Sequence, residues 1–160
     1  MATNDSRTDD RDEATKQAHT EAALSKLREM NATRAQALSA EGKAAPPLPD
    51  SPYEYSNCNL EVIGVVFYNQ VQLWFGYENI QFQGEGGGVG IGKYGSFGTA
   101  YFNYPLDQLK TWSARYQVTV VGPLTTLFLW GMEDEVIGSV VCGGVNFFTS
   151  IAGGKGEFSQ

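Results

Sequence analysis

The chain has 160 residues and a formal net charge of −7, room for one ordinary domain or a smaller domain with a tail. The charge argues against nucleic acid as a partner. Phosphate recognition needs clustered Lys and Arg, and residues 53–160 hold only Lys93, Lys110, Arg115 and Lys155 as cations. The same acidity argues against simple electrostatic adhesion to anionic lipid and leaves apolar membrane contact open.

Composition divides the chain. Residues 1–52 contain no Phe, Tyr or Trp, and Gly42 is the only glycine before residue 60. A segment so poor in apolar surface has little to set against an ordering entropy of roughly 1–2 kcal/mol per residue. Residues 1–52 are therefore expected to be a disordered or partly helical acidic arm with a Pro-rich linker, and residues 53–160 a Gly-rich folded domain. Within the arm, residues 12–42 carry good helix formers but a sparse apolar stripe of Ala23, Leu27, Met30 and Leu38. The expectation is a fraying or partner-binding helix ended by Gly42. Ala45-Pro46-Pro47-Leu48-Pro49 reads as an extended linker. No apolar run approaches the ~18 residues of a membrane-spanning helix, and no apolar segment follows Met-Ala-Thr-Asn-Asp-Ser-Arg as in a secretory signal. On that basis the protein is expected to be cytoplasmic, processed, or exported by another route.

After Tyr55 the apolar period becomes twofold. Leu60 to Tyr68 is a mostly β-branched run, and Val71, Leu73 and Phe75 share one face of the next strand. Asn69 and Gln70 suggest a tight hairpin between the two. Gly84 to Gly92 places glycine at almost every second residue, which strips one strand face and lets another backbone approach. Phe97 to Phe102 is a further strand. Pro105 followed by Leu106, Leu109 and Trp112 predicts one short helix that covers an end of the sheet. Strands resume over 114–120, 124–130, 135–142 and 145–151, the last running on to Phe158, and are separated by Gly122-Pro123, Gly131 to Asp134, and Gly143-Gly144. About eight strands joined by short turns predict an all-β, closed antiparallel eight-stranded barrel with one short helix, a two-sheet sandwich being the alternative. Cys58 and Cys142 are read either as two buried thiols or as one disulfide between the first and seventh strands.

Several motifs resemble chemistry. Gly90-Ile91-Gly92-Lys93-Tyr94-Gly95 matches a dinucleotide fingerprint, and Gly87 to Lys93 a phosphate loop. Strand-like sequence follows both, so the helix N-terminus that would hold a phosphate is missing. The only histidine, His19, lies in the arm, which removes Ser–His and Cys–His couples from the barrel. Glu133-Asp134-Glu135 reads as a solvated turn, and Glu61, Glu78 and Glu85 are spread among strands. No cofactor and no metal site is expected. The aromatic residues are more suggestive. Trp74, Tyr77, Phe82, Trp112, Trp130, Phe147 and Phe148 exceed the evident needs of one small core; Trp74 falls opposite Leu73, and Phe147 and Phe148 cannot both face inward. Scattered exposure needs no explanation. A contiguous patch would serve protein or membrane-interface contact, with Trp74, Tyr77, Trp130, Phe147 and Phe148 as its candidate members.

Phe97-Gly98-Thr99-Ala100-Tyr101, Leu106-Asp107-Gln108-Leu109 and Tyr116 to Pro123 resemble the Vap family of virulence-associated proteins of actinobacterial pathogens. So do Ile137 to Val145 and Ile151 to Phe158, and the resemblance covers about residues 59–160. It implies a closed eight-stranded barrel with a short helix behind a variable N-terminal region. It also implies a secreted, host-exposed protein without enzymatic activity that acts in phagocytes, in some members at endolysosomal membranes. It carries over no functional residues. The missing secretory signal and the two cysteines depart from the family pattern.

The leading expectation is a non-enzymatic, monomeric effector or interaction protein whose partner is a host membrane or a host protein. A small-ligand carrier, in which the glycines open room in the lumen, is the second reading. A small-barrel enzyme using carboxylate or tyrosine chemistry is the third.

Overall fold

The computed structural model describes residues 3–76, 78–89, 92–121, 124–143 and 150–160. A helix α1 (Thr3–Ala40) precedes β1 (Tyr53–Val65), β2 (Tyr68–Phe75), β3 (Gln81–Val89), β4 (Gly92–Phe102), the short α2 (Leu106–Leu109), β5 (Ser113–Val121), β6 (Leu124–Gly131), β7 (Val136–Gly143) and β8 (Ser150–Ser159). All ladders are antiparallel, and the strands close in the order β1-β2-β3-β8-β5-β6-β7-β4. This order contains two Greek keys, β4-β1-β2-β3 and β8-β5-β6-β7, joined along two seams. The closed barrel expected from the alternation is the observed architecture.

Glycine explains how so small a barrel closes. A Cβ on Gly86 would fall on the Gly153 carbonyl and the Gly154 Cα across the β3–β8 seam. At the β4–β7 seam a Cβ on Gly98 would strike the Val141 carbonyl and the Cys142 Cα. The sheet folds over sharply where the two Greek keys meet, and inward side chains there would occupy the neighbouring backbone. The glycines open no lumen at these positions. At Gly84 the space is taken by the Tyr116 ring, whose Cε1 lies 2.5 Å from where a Cβ would stand.

The remaining interior is filled by the alternating residues the sequence marks out. Leu60, Val71, Leu73, Phe82, Val118, Val120, Leu127 and Leu129 are fully buried in one cluster. Tyr55, Phe75, Phe82, Phe102 and Phe158 make edge and tilted ring contacts within it, at centroid distances of 5.0 to 6.4 Å. Helix α2 starts after Pro105 and buries Leu106 and Leu109, which plugs one end of the barrel as its spacing suggests. Trp112 packs on Tyr104 beside it at 5.1 Å.

The cysteines resolve to two free, buried thiols. Cys58 and Cys142 each pair with Gly98, from β1 and β7 respectively. Both therefore stand at the β4–β7 seam, and neither is bonded to the other. Burial pushes both thiols up to about 12.

Two local expectations change. The first hairpin turns at Val66-Phe67, since Val65 pairs with Tyr68. Asn69, expected in that turn, is buried: it accepts the Tyr116 hydroxyl at 2.6 Å. A buried phenol needs an acceptor, and that tertiary demand outweighs Asn's local preference for turns. β1 starts earlier than Leu60, at Tyr53, and carries a bulge between Tyr55 and Cys58 with Asn57 at φ 61°. The last strand runs over Ser150–Ser159, through the stretch to Phe158 into which the sequence carries it, and the expected strand residues 145–149 lie outside the described residues.

The arm is helical over Thr3–Ala40 and ends as its sequence foretells. Gly42 stands at φ 75°, Lys43 N–H reaches the Leu38 carbonyl at 2.8 Å, and Gly42 N–H reaches Ser39 at 3.0 Å. The sparse stripe is enough to dock the helix on the barrel wall. Leu27 is buried against Tyr101 and Val136, with Leu24, Met30 and Trp130 around it. Asn31 and Asn103 exchange side-chain hydrogen bonds at 2.7 and 3.3 Å, and Arg34 donates to the Glu133 carbonyl at 2.9 Å.

Candidate functional site

The antiparallel order sorts the connections between two ends of the barrel. One end carries the links after β1, β3, β5 and β7; the other carries those after β2, β4 and β6. At the second end lie Glu78, Asp107 and the Glu133-Asp134-Glu135 turn. That turn satisfies itself: Asp134 pairs with Arg115, and the Glu135 carboxylate accepts from Glu133 N–H at 2.8 Å. The first end is different. Residues 62–69 hold no charged side chain, and the charges of the flanking strands, Glu85 on β3 and Lys93 on β4, pair in register with Gln70 and Ile63 at the hairpin's base.

Its described apex is the β1–β2 hairpin. Val65, Val66, Phe67 and Tyr68 are 58%, 52%, 77% and 46% exposed, four consecutive large apolar residues in water. Val66 is held at φ 55°. A β-branched residue in the left-handed region costs about 1–2 kcal/mol, where Gly or Asn would cost little. Ladder pairing from Cys58↔Phe75 to Val65↔Tyr68 holds the strained turn in place. Strain combined with exposed apolar surface marks a functional segment better than either does alone. At the hairpin's base the Tyr68 hydroxyl donates to the Glu85 carboxylate at 2.9 Å, an interaction that raises the phenol above its ordinary value. Ile151 on β8 adds further exposed apolar surface.

The sequence-stated candidates do not converge on this surface. Trp74 faces outward, half-buried, on β2. Trp130 faces outward on β6, stacked 6.2 Å from Phe128 and beside α1. β2 and β6 stand on opposite sides of the closed order, so these two tryptophans share no patch. Tyr77, Phe147 and Phe148 lie outside the described residues. Sequence reading missed Val66 and Phe67 because neither turn position is a glycine or asparagine; the nearest such residues, Gly64 and Asn69, pair with each other in the ladder.

Acid–base groups are not gathered either. Glu61 and Glu85 lie on β1 and β3 with β2 between them, and Glu78 is at the opposite end from the hairpin. Gly92 to Gly95 of the fingerprint-like motif form the start of β4, a strand where a nucleotide site needs a helix.

No protein-family model matches the sequence, and no curated protein matches it. Solved structures do. The virulence-associated protein VapB of the intracellular pathogen Rhodococcus equi is similar with a TM-score of 0.60 and 21% identity, over 68% of this chain and 97% of that one. The virulence-associated protein VapD of Rhodococcus equi is similar with a TM-score of 0.62 and 21% identity, over 68% of this chain and 99% of that one. With nearly the whole length of both proteins accounted for by a closed eight-stranded barrel, this chain has the Vap fold.

Proposed function

We propose that this protein is a non-enzymatic effector of the virulence-associated type, secreted or host-exposed, that works through the outside of its barrel. The end that carries the β1–β2 hairpin is the contact surface, and a host endolysosomal membrane is the partner it suits. The observation that carries this reading is the exposed Val65 to Tyr68 hairpin, held in a strained turn whose own residues carry no charge. Moving the exposed parts of Val66 and Phe67 from water into a lipid interface yields about 2–4 kcal/mol, enough for weak, reversible attachment. The acidic residues at the other end stay in water. The likeness to VapB and VapD supports the same role.

Co-sedimentation of the full chain with neutral and acidic vesicles at pH about 5 and 7 tests this. Binding should be weak but measurable on neutral vesicles and insensitive to salt. It should rise on acidic vesicles at pH about 5, where carboxylate protonation relieves repulsion. Phe67→Asp should remove it and Glu133→Gln should leave it intact. Equal binding by wild type and Phe67→Asp, or no binding under any condition, turns the reading towards a protein partner.

A further inference from the structure

A second feature is independent of the hairpin. α1 lies along β7 and leaves a groove of about 570 Å³ between itself and the neighbouring strands β5 and β6. That volume lies within the ~300–1,000 Å³ of small-molecule sites. On the helix side it is lined by Lys26, Glu29, Met30, Thr33, Arg34 and Ala37. These residues follow helical spacing over eleven positions, so the groove runs for about 16 Å along the helix. On the barrel side the floor is Phe128 and Trp130, paired in register with Gln117 and Arg115. Val136 and the flexible Met30 complete an apolar trough.

The polar rim is uneven. Lys26 pairs with Glu29 at 3.6 Å, and Arg115 pairs with Asp134. Arg34 gives an N–H to the Glu133 carbonyl, a neutral acceptor, so of the three cations lining the groove it is the one not paired with a carboxylate of the lining; Glu135 stands with it around the adjoining pocket. Three cations against two carboxylates, in a chain of net charge −7, make this groove a place that favours an anion.

We propose that the groove between α1 and the barrel binds a single-chain amphipathic carboxylate, of the fatty-acid class. Its tail lies on Phe128 and Trp130 and its head group on Arg34. Length, aromatic floor and the one cation not paired within the lining each select for that shape and charge. The site is built by the arm and the barrel together, so the ligand also fastens α1, whose own apolar stripe is thin.

Titration of the ¹⁵N-labelled full chain with dodecanoate, below its micelle concentration, tests the site through the tryptophan indole signals. Trp130→Phe assigns the signal concerned. The Trp130 signal should shift and saturate while that of Trp74, on the opposite wall, stays fixed. Arg34→Gln should weaken binding about tenfold, Thr33→Trp should block it by filling the groove, and dodecylammonium should bind more weakly than dodecanoate. Phe67→Asp should have no effect, which separates this site from the membrane surface. Parallel, unsaturating shifts of Trp74 and Trp130 would overturn the proposal. So would equal affinity for dodecylammonium, or unchanged dodecanoate affinity in both Arg34→Gln and Thr33→Trp.

Discussion

Replacing Gly86 with alanine places a methyl group against the Gly153 carbonyl and the Gly154 Cα, across the seam between β3 and β8. Neither obstacle is a side chain that can rotate away. The strands must move apart, which loosens ladder bonds between them, and overpacking of this kind costs typically 1–3 kcal/mol. Alanine recovers about 0.4–1 kcal/mol by restricting the unfolded chain. Because the obstacle here is all backbone, the expected net loss is about 2 kcal/mol. The adjacent Gly87 is the control: a Cβ there would face outward, with its nearest neighbour the Phe67 carbonyl at an ordinary 3.5 Å. Gly87→Ala should therefore be neutral or stabilising by up to about 1 kcal/mol. Urea unfolding of the full chain measures both. With a slope of roughly 1–3 kcal/mol/M, Gly86→Ala should lower the midpoint by about 1 M, and Gly87→Ala should leave it level or raise it. If the two variants lose the same stability, or if Gly86→Ala loses none, glycine is not what lets the seam close.

Burial holds the Cys58 and Cys142 thiols neutral up to about 12 in the folded protein, against about 8.5 when unfolded. Stability should be flat below pH about 8.5 and fall as pH rises towards 12, because only the unfolded chain releases these protons; urea midpoints at pH 8, 9 and 10 should decline progressively. Both thiols should also resist a disulfide reagent at pH 8 until urea unfolds the barrel, and fast labelling of native protein would contradict their burial. Val66→Gly relieves the left-handed strain and should raise stability by about 0.5–1 kcal/mol while weakening vesicle binding; a loss of stability would mean that the turn is not strained. Leu27→Asp should free α1, seen as rapid hydrogen exchange of residues 20–38, while the barrel amides keep their protection. Simultaneous loss of protection in the barrel would show that the helix is part of one cooperative unit.

Much of this molecule is local in origin and so legible in the order of residues. The aromatic-free stretch to residue 52 marks where the barrel begins, and Gly42 marks where α1 ends. Val71-Leu73-Phe75 and Ala114-Tyr116-Val118-Val120 point inward because strand side chains alternate whatever the neighbours are. Pro105, Leu106 and Leu109 announce α2 by the same kind of short-range rule. Tertiary structure decided the rest. The turn at Val66-Phe67 exists because Asn69 is drawn inward to the Tyr116 hydroxyl, a contact spanning 47 residues that no local propensity encodes. Trp74 and Trp130 look alike in the chain, yet closure of the barrel sends one to a wall of its own and the other beside α1. The setting of the exposed hairpin and the groove under the helix have the same cause. Segments far apart in sequence become neighbours only when eight strands close, and that closure sets which surfaces face water together.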